Sequence, residues 1–184
     1  EAAWGPVPEV YPDDGMEADE ARSLVDMGTD AVARHFGLAV DTLAPCRWMA
    51  RGGRFWMHGA EEWPVEGWAP GACRAVSLGF RALEFDTGGR PRPTNDLLRW
   101  LDRSVTSGTV DLTDEQAIRL LRGDPLPWPE ELHGLLALRY AGSVVGRGVP
   151  TTAGIRSQIP KARAKDLRAV LGDEALSGGR REDG

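Results

Sequence analysis

Apolar positions recur at two periods along this chain, and the period tells which kind of element each stretch builds. From Met16 to Phe36 helical spacing runs through Ala21, Leu24, Val25, Gly28, Ala31, Val32 and His35. This predicts an amphipathic helix that Gly37 stops. Arg47–Arg51 and Arg54–His58 flank Gly52-Gly53 and predict a hairpin. Residues 72–85 alternate small and apolar side chains, as strands interrupted near Gly79, and Asp86-Thr87-Gly88-Gly89 reads as a turn. After an extended arm over residues 90–94, Thr94 is placed to cap a helix from Asn95 to about Val105, with Leu97, Leu98 and Leu101 as its stripe.

The second half repeats the alternation. Val110–Leu112 is a short strand. Thr113 and Gln116 have capping-box spacing for a helix through Arg122, which Gly123 and Pro125 end. Leu135–Tyr140 and Val144–Val149 predict a hairpin over the turn Ala141-Gly142-Ser143, and Gly154–Ser157 a third short strand or a turn. Pro160 donates no N–H and biases Ile159 to extended backbone, so regular structure is expected to break there. Arg156, Gln158, Lys161 and Arg163 then fall on a loop or strand end, and a last helix runs from beyond Lys165 to Leu171.

These elements make an α+β protein in two modules. An acidic, Pro-rich arm of residues 1–15 precedes a mixed α/β module of residues 16–107. A second module covers residues 108–172, and residues 173–184 form a charged, Gly-rich tail; the arm and tail are expected to be disordered. No repeat recurs at a period of 20–50 residues.

Charge changes the picture. The 184 residues carry a net charge of −6, yet residues 135–170 hold seven cations and one anion. They are Arg139, Arg147, Arg156, Lys161, Arg163, Lys165 and Arg168, against Asp166. This +6 segment reads either as a phosphate-binding surface, RNA foremost, or as a solvated face and counter-charge to the acidic N-terminal region. Under the first reading its cations share one face. Guanidinium, amide and ammonium groups in close succession suit the phosphates and base edges of single-stranded RNA. Trp48, Trp56, Trp63 and Trp68 offer faces for base stacking, and burial in the core is the competing role.

The motif order resembles the PUA-like RNA-binding domain that ends the Sun-type RNA 5-methylcytosine methyltransferases. The residues that carry the resemblance are Leu121-Arg122-Gly123-Asp124-Pro125-Leu126, then Val144-Val145-Gly146-Arg147-Gly148, then residues 154–163, Gly-Ile-Arg-Ser-Gln-Ile-Pro-Lys-Ala-Arg. Upstream, residues 79–85 followed by Arg90-Pro91-Arg92-Pro93-Thr94-Asn95 are similar to the strand and Pro-rich segment before that domain. The match spans about residues 75–170. It departs from the family at Ser157, where an Asn is usual, and at Ala162, where a Gly is usual. Stand-alone archaeal relatives lack the methyltransferase, and the chain looks most similar to those. The resemblance implies a pre-PUA-like module followed by a PUA-like β-barrel. It further implies RNA contacts from Arg92, Asn95, Arg147, Arg156, Ser157, Gln158, Lys161, Arg163 and Arg168. The implied partners are rRNA or tRNA, with an RNA methyltransferase or a ribosomal particle.

The sequence lacks the chemistry of the enzyme classes weighed against this. It has no Gly-rich strand-to-helix loop with a following acid, no phosphate-binding loop and no zinc-ligand spacing. Cys46 and Cys73 have no base or second ligand near them in sequence and are expected to be reduced and non-catalytic, and His35, His58 and His133 are lone. No cofactor is expected. There is no apolar run of membrane-spanning length and no basic-then-apolar leader pattern, so a cytoplasmic location is expected. Two other functions stay open: a protein-interaction module that docks its acidic N-terminal helix on a basic partner, and a small enzyme with dispersed catalytic residues.

Overall fold

The computed structural model describes residues 10–11, 16–39, 41–51, 53–59, 79–127 and 134–172. The chain divides into two compact units, Glu1–Leu97 and Leu98–Gly184. The first holds nine cations against sixteen acids, net −7, and the second thirteen against twelve, net +1. The predicted α+β class is what the described residues form, with four α-helices and two sheets.

In the first unit, helix α1 (Ala18–Phe36) buries Ala21, Val25, Gly28, Val32 and Phe36, a stripe spaced by three and four. Gly37 ends it in the left-handed region, φ 62°, and donates to Ala33 O. The five-stranded sheet runs β1 (Val10–Tyr11), β2 (Arg47–Arg51), β3 (Arg54–His58), β4 (Phe80–Phe85), β5 (Pro91–Pro93) in spatial order. β1 is parallel to β2 and the other pairings are antiparallel. The Gly-Gly hairpin formed as predicted, in register from Arg47↔His58 to Arg51↔Arg54. Strand β1 lies within the stretch read from sequence as a disordered arm. The rest of that arm, residues 60–78 with Cys73, Trp63 and Trp68, and the tail lie outside the described residues.

Gly28 is a contact requirement: a Cβ there would sit 2.8 Å from Leu83 Cδ1 on β4, so the helix rests on the sheet through its glycine. Trp48, Phe55, Met57 and Leu83 are fully buried beneath it, and Trp48 therefore takes the core role. Between β4 and β5, Asp86 Oδ1 accepts from the N–H groups of Arg90 and Gly88 at 3.0 and 2.9 Å. These bonds, the Arg90 one first, hold its carboxyl below the ordinary carboxylate range. Thr94 caps helix α2 (Asn95–Leu101): its Oγ1 accepts from Leu97 N at 3.2 Å and donates to Arg81 O at 2.6 Å. The helix is shorter than expected, because a 3₁₀ turn (Asp102–Ser104) replaces its last residues.

In the second unit the sheet order is β6 (Thr109–Leu112), β7 (Leu136–Tyr140), β8 (Ser143–Thr151), β9 (Gly154–Ser157). β6 is parallel to β7, and the remaining pairs are antiparallel. Helix α3 (Asp114–Arg122) crosses over between β6 and β7. Its predicted capping box is complete: Gln116 N donates to Thr113 Oγ1 at 3.3 Å, and Thr113 N donates to Gln116 Oε1 at 3.0 Å. Past α3, Leu126 pairs with Ile155 through two backbone bonds of 3.0 and 2.8 Å, so the segment after α3 lies on β9, at the sheet edge opposite β6. Gly154 meets this bridge at φ 117°, where any Cβ would collide with the Leu126 carbonyl.

The β7–β8 turn has two residues, not three. Tyr140 pairs with Ser143, and Ala141 and Gly142 both take positive φ, 49° and 81°. That geometry matches the twist of the flanking strands. The 3₁₀ turn is tied to the same sheet: Val144 N donates to Asp102 Oδ1 at 2.7 Å, and Arg139 donates to Val105 O at 2.7 Å. A larger apolar cluster joins β6, α3, β7 and β9 through Leu112, Leu120, Leu136, Leu138 and Ile155. A smaller one joins α3 to the last helix, α4 (Lys161–Val170), through Leu121, Ile159 and Ala164.

Candidate nucleic-acid interface

Nine residues were singled out as RNA contacts, and the structure distributes them. Arg92 on β5 and Asn95 at the start of α2 belong to the first unit, and both are half-buried. The other seven belong to the second unit and run from β8 through β9 into α4.

Register places the strand residues. Arg147 is opposite Ala137, and Arg156 is opposite Val149, two residues on from Arg147. Arg147 and Arg156 therefore project from the same face of the sheet. They differ in exposure. Arg156 is exposed, whereas Arg147 is 9% exposed, amid a run in which Gly146 and Gly148 are buried as well. Ser157 Oγ accepts from Ile159 N at 3.1 Å, closing a short turn out of β9. Gln158 donates its backbone N–H to Arg147 O at 2.8 Å, one residue beyond the ladder.

The expected loop over Lys161 and Arg163 is helix. Pro160 sits at the N-cap with φ −55° and ψ 139°, and its carbonyl accepts from Ala164 N at 2.9 Å. A proline at a helix start loses nothing by lacking an N–H, and Ala162 and Ala164 favour helix in the turn after it. Along α4 the spacing puts Ala164, Leu167 and Leu171 toward α3. Lys161, Lys165 and Arg168 fall on one flank of that stripe and Arg163 on the other. The expectation that the cations share one face is thus corrected: one is buried in the sheet, one is exposed on the sheet, and those of α4 occupy two flanks.

What unites four of them is the lack of a neutralising partner. Among the described residues, Arg156, Lys161, Arg163 and Lys165 make no side-chain hydrogen bond and no ion pair. Arg147, Gln158 and Arg168 do have partners. Arg139, the first cation of the segment, is also engaged, 3.8 Å from Asp111 and bonded to Val105 O. The N-terminus of α4 adds to the same field. It has no side-chain cap and no acid in its first turn, where Lys161 and Arg163 sit. Free N–H groups and the positive end of the helix dipole thus coincide with one ammonium and one guanidinium charge. An anion with several oxygens fits that combination, and phosphate is such an anion. Lys165, which the sequence reading left out of its contact set, is exposed and one turn beyond Lys161 on the same flank. Its signal was the alanine-rich Lys161–Val170 stretch, which turns i,i+4 spacing into a shared stripe.

Other chemistry in the described residues is sparse. Cys46 is free and buried, and burial pushes its thiol up to about 11. No group of three His, Cys, Asp or Glu side chains is placed to hold a metal ion among the described residues. No helix among them is long and apolar enough to cross a membrane. Compared with known proteins, the chain matches no protein-family model and no curated protein.

Proposed function

We propose that this is an RNA-binding protein without a catalytic domain of its own, acting on rRNA or tRNA in modification or ribosome assembly through a PUA-like second unit. The observation that carries the proposal is the set of unpaired cations, Arg156, Lys161, Arg163 and Lys165, around the uncapped start of α4. A chain with 28 carboxylates and 22 Lys and Arg has enough acid to neutralise every cation. These four lie within ten residues and have no ion pair among the described residues, which argues against an internal counter-charge. It supports a surface kept for an external polyanion. The motif order of residues 121–163 supports the same reading, and it is what points to rRNA or tRNA, a methyltransferase or a ribosomal particle as the setting.

The test is fluorescence anisotropy of labelled single-stranded and duplex RNA across 50 to 200 mM salt. Binding with a linear fall of log K against log salt is expected. Absence of binding at the lowest salt refutes the proposal. It would leave the exposed acids at the start of α1, Glu17 at its N-cap with Asp19 and Glu20 in its first turn, as the surface to examine against basic proteins.

A further inference from the structure

Helix α1 and the residues that follow it enclose a cavity of about 190 Å³ in the first unit. At about 100° per residue, Val25 lies toward the sheet, Thr29 comes next around the helix, and Asp26 and Asp30 stand on the solvent side. All four line the cavity, and Leu38 and Leu43 close it from the other side. The walls are therefore apolar and the rim acidic. Asp26 and Asp30 are exposed and one turn apart, and neither carboxylate has an ion pair among the described residues. Arg34 donates its Nε to the Asp30 main-chain carbonyl at 3.3 Å, not to the carboxylate.

Trp48 forms the floor. Strand β2 is hydrogen-bonded to β1 on one edge and β3 on the other, so Trp48 reaches the cavity through its side chain. The indole is 0% exposed, and its Nε1–H has no acceptor. Thr29 does not supply one: its hydroxyl turns back along the helix and donates to Val25 O at 2.9 Å. A buried donor without a partner is costly, and an acceptor carried into the cavity removes that cost. Two unpaired carboxylates at the mouth ask for a cation, and the N–H at the floor asks for an acceptor.

We propose that this cavity binds a small primary amine of about eight non-hydrogen atoms, its ammonium at Asp26 and Asp30 and a hydrogen-bond acceptor at its other end. The size follows from the volume: an apolar cavity of about 150 Å³ holds benzene, so about 190 Å³ takes a ring with a short arm. The ring packs between Val25, Leu38 and Leu43, and the acceptor takes the Trp48 Nε1–H. The site does not depend on RNA binding.

The experiment is an NMR titration of the full chain that follows the indole N–H resonances. Three probes of equal size separate the two polar ends. They are 4-(aminomethyl)pyridine, benzylamine, which lacks the ring nitrogen, and 4-pyridinemethanol, which lacks the charge. The first is expected to shift one indole N–H saturably and to bind about tenfold more tightly than benzylamine. It should also bind about fivefold more tightly than 4-pyridinemethanol, a preference that Asp26→Asn with Asp30→Asn should abolish. Those two side chains are exposed, so the double variant should keep the spectrum of the free protein. Trp48→Phe should remove the shifting resonance and the preference over benzylamine; should that variant not fold, the three probes and the Asp variant decide alone. Equal binding of the three probes by the wild type overturns the proposal. So does the absence of a saturable indole shift, or undiminished preference for the amine in the Asp variant.

Discussion

Reversing charge at the start of α4 should separate binding from folding, because the two respond in opposite directions. Take Arg156→Glu with Lys161→Glu. Lys161 is the first residue of a helix with no side-chain cap and no acid in its first turn, so it opposes the helix dipole. A glutamate there is favoured, and a gain on the order of 0.5–1 kcal/mol is expected. Arg156 is exposed and unpaired, so its reversal should change stability by about 0.5 kcal/mol or less. The double variant should therefore melt at the wild-type temperature or up to about 4 °C above it. RNA binding should move the other way. Two lost phosphate contacts lower the single-strand salt slope by about 1.4. Between 50 and 200 mM salt the wild type should then lose roughly sevenfold more affinity than the variant. Calorimetry and anisotropy on the same preparations read both quantities, with Arg119→Glu on α3 as the control that binds as wild type. An unchanged slope in the double variant refutes the assignment of these cations to phosphate. A large drop in melting temperature refutes the account of the α4 terminus.

Three further outcomes test the fold. Gly154→Ala should cost the second unit at least 2 kcal/mol in denaturant unfolding, because φ 117° and the Leu126 carbonyl both oppose a Cβ; Gly142→Ala, with φ 81° and open space, should cost about 1 kcal/mol. Thr113→Ala removes one arm of the α3 capping box and should destabilise by about 1 kcal/mol in the same assay. The Cys46 thiol is raised from 9.0 to about 11 by burial, so the unfolded chain ionises first. Stability should fall as pH rises from about 9 to about 11, and thiol reagents at pH 8 should label Cys46 only upon unfolding; rapid labelling of the native protein would contradict its burial.

Local rules were legible where a single residue type has one mechanical use. Thr94 and Thr113 cap the helices they were assigned, and Gly37 and Gly123 end theirs at positive φ. The Asp86 turn closes through its own side chain as its composition implies. Pro160 was misread because proline has two roles. It breaks a ladder or a helix interior, yet at an N-cap it starts a helix, and only the alanines beyond it distinguish the cases. Arg147 was legible as a cation but not as a buried one. Gly146, Arg147 and Gly148 are buried in succession, so burial along that strand follows no alternation. The β1–β2 pairing was hidden for another reason: two residues join a strand more than thirty positions away, beyond the reach of any local pattern.

The Leu126–Ile155 bridge has a consequence for how this protein behaves in a crowded solution. β9 is four residues long and would otherwise be an open template on which a second chain could add a strand. Leu126 occupies the Ile155 groups, and it is flanked by Pro125 and Pro127, neither of which has an N–H to donate. The covering segment satisfies the edge at one point and cannot itself be lengthened into a ladder. The fold thus carries a stopper against edge-to-edge aggregation, made from one leucine between two prolines.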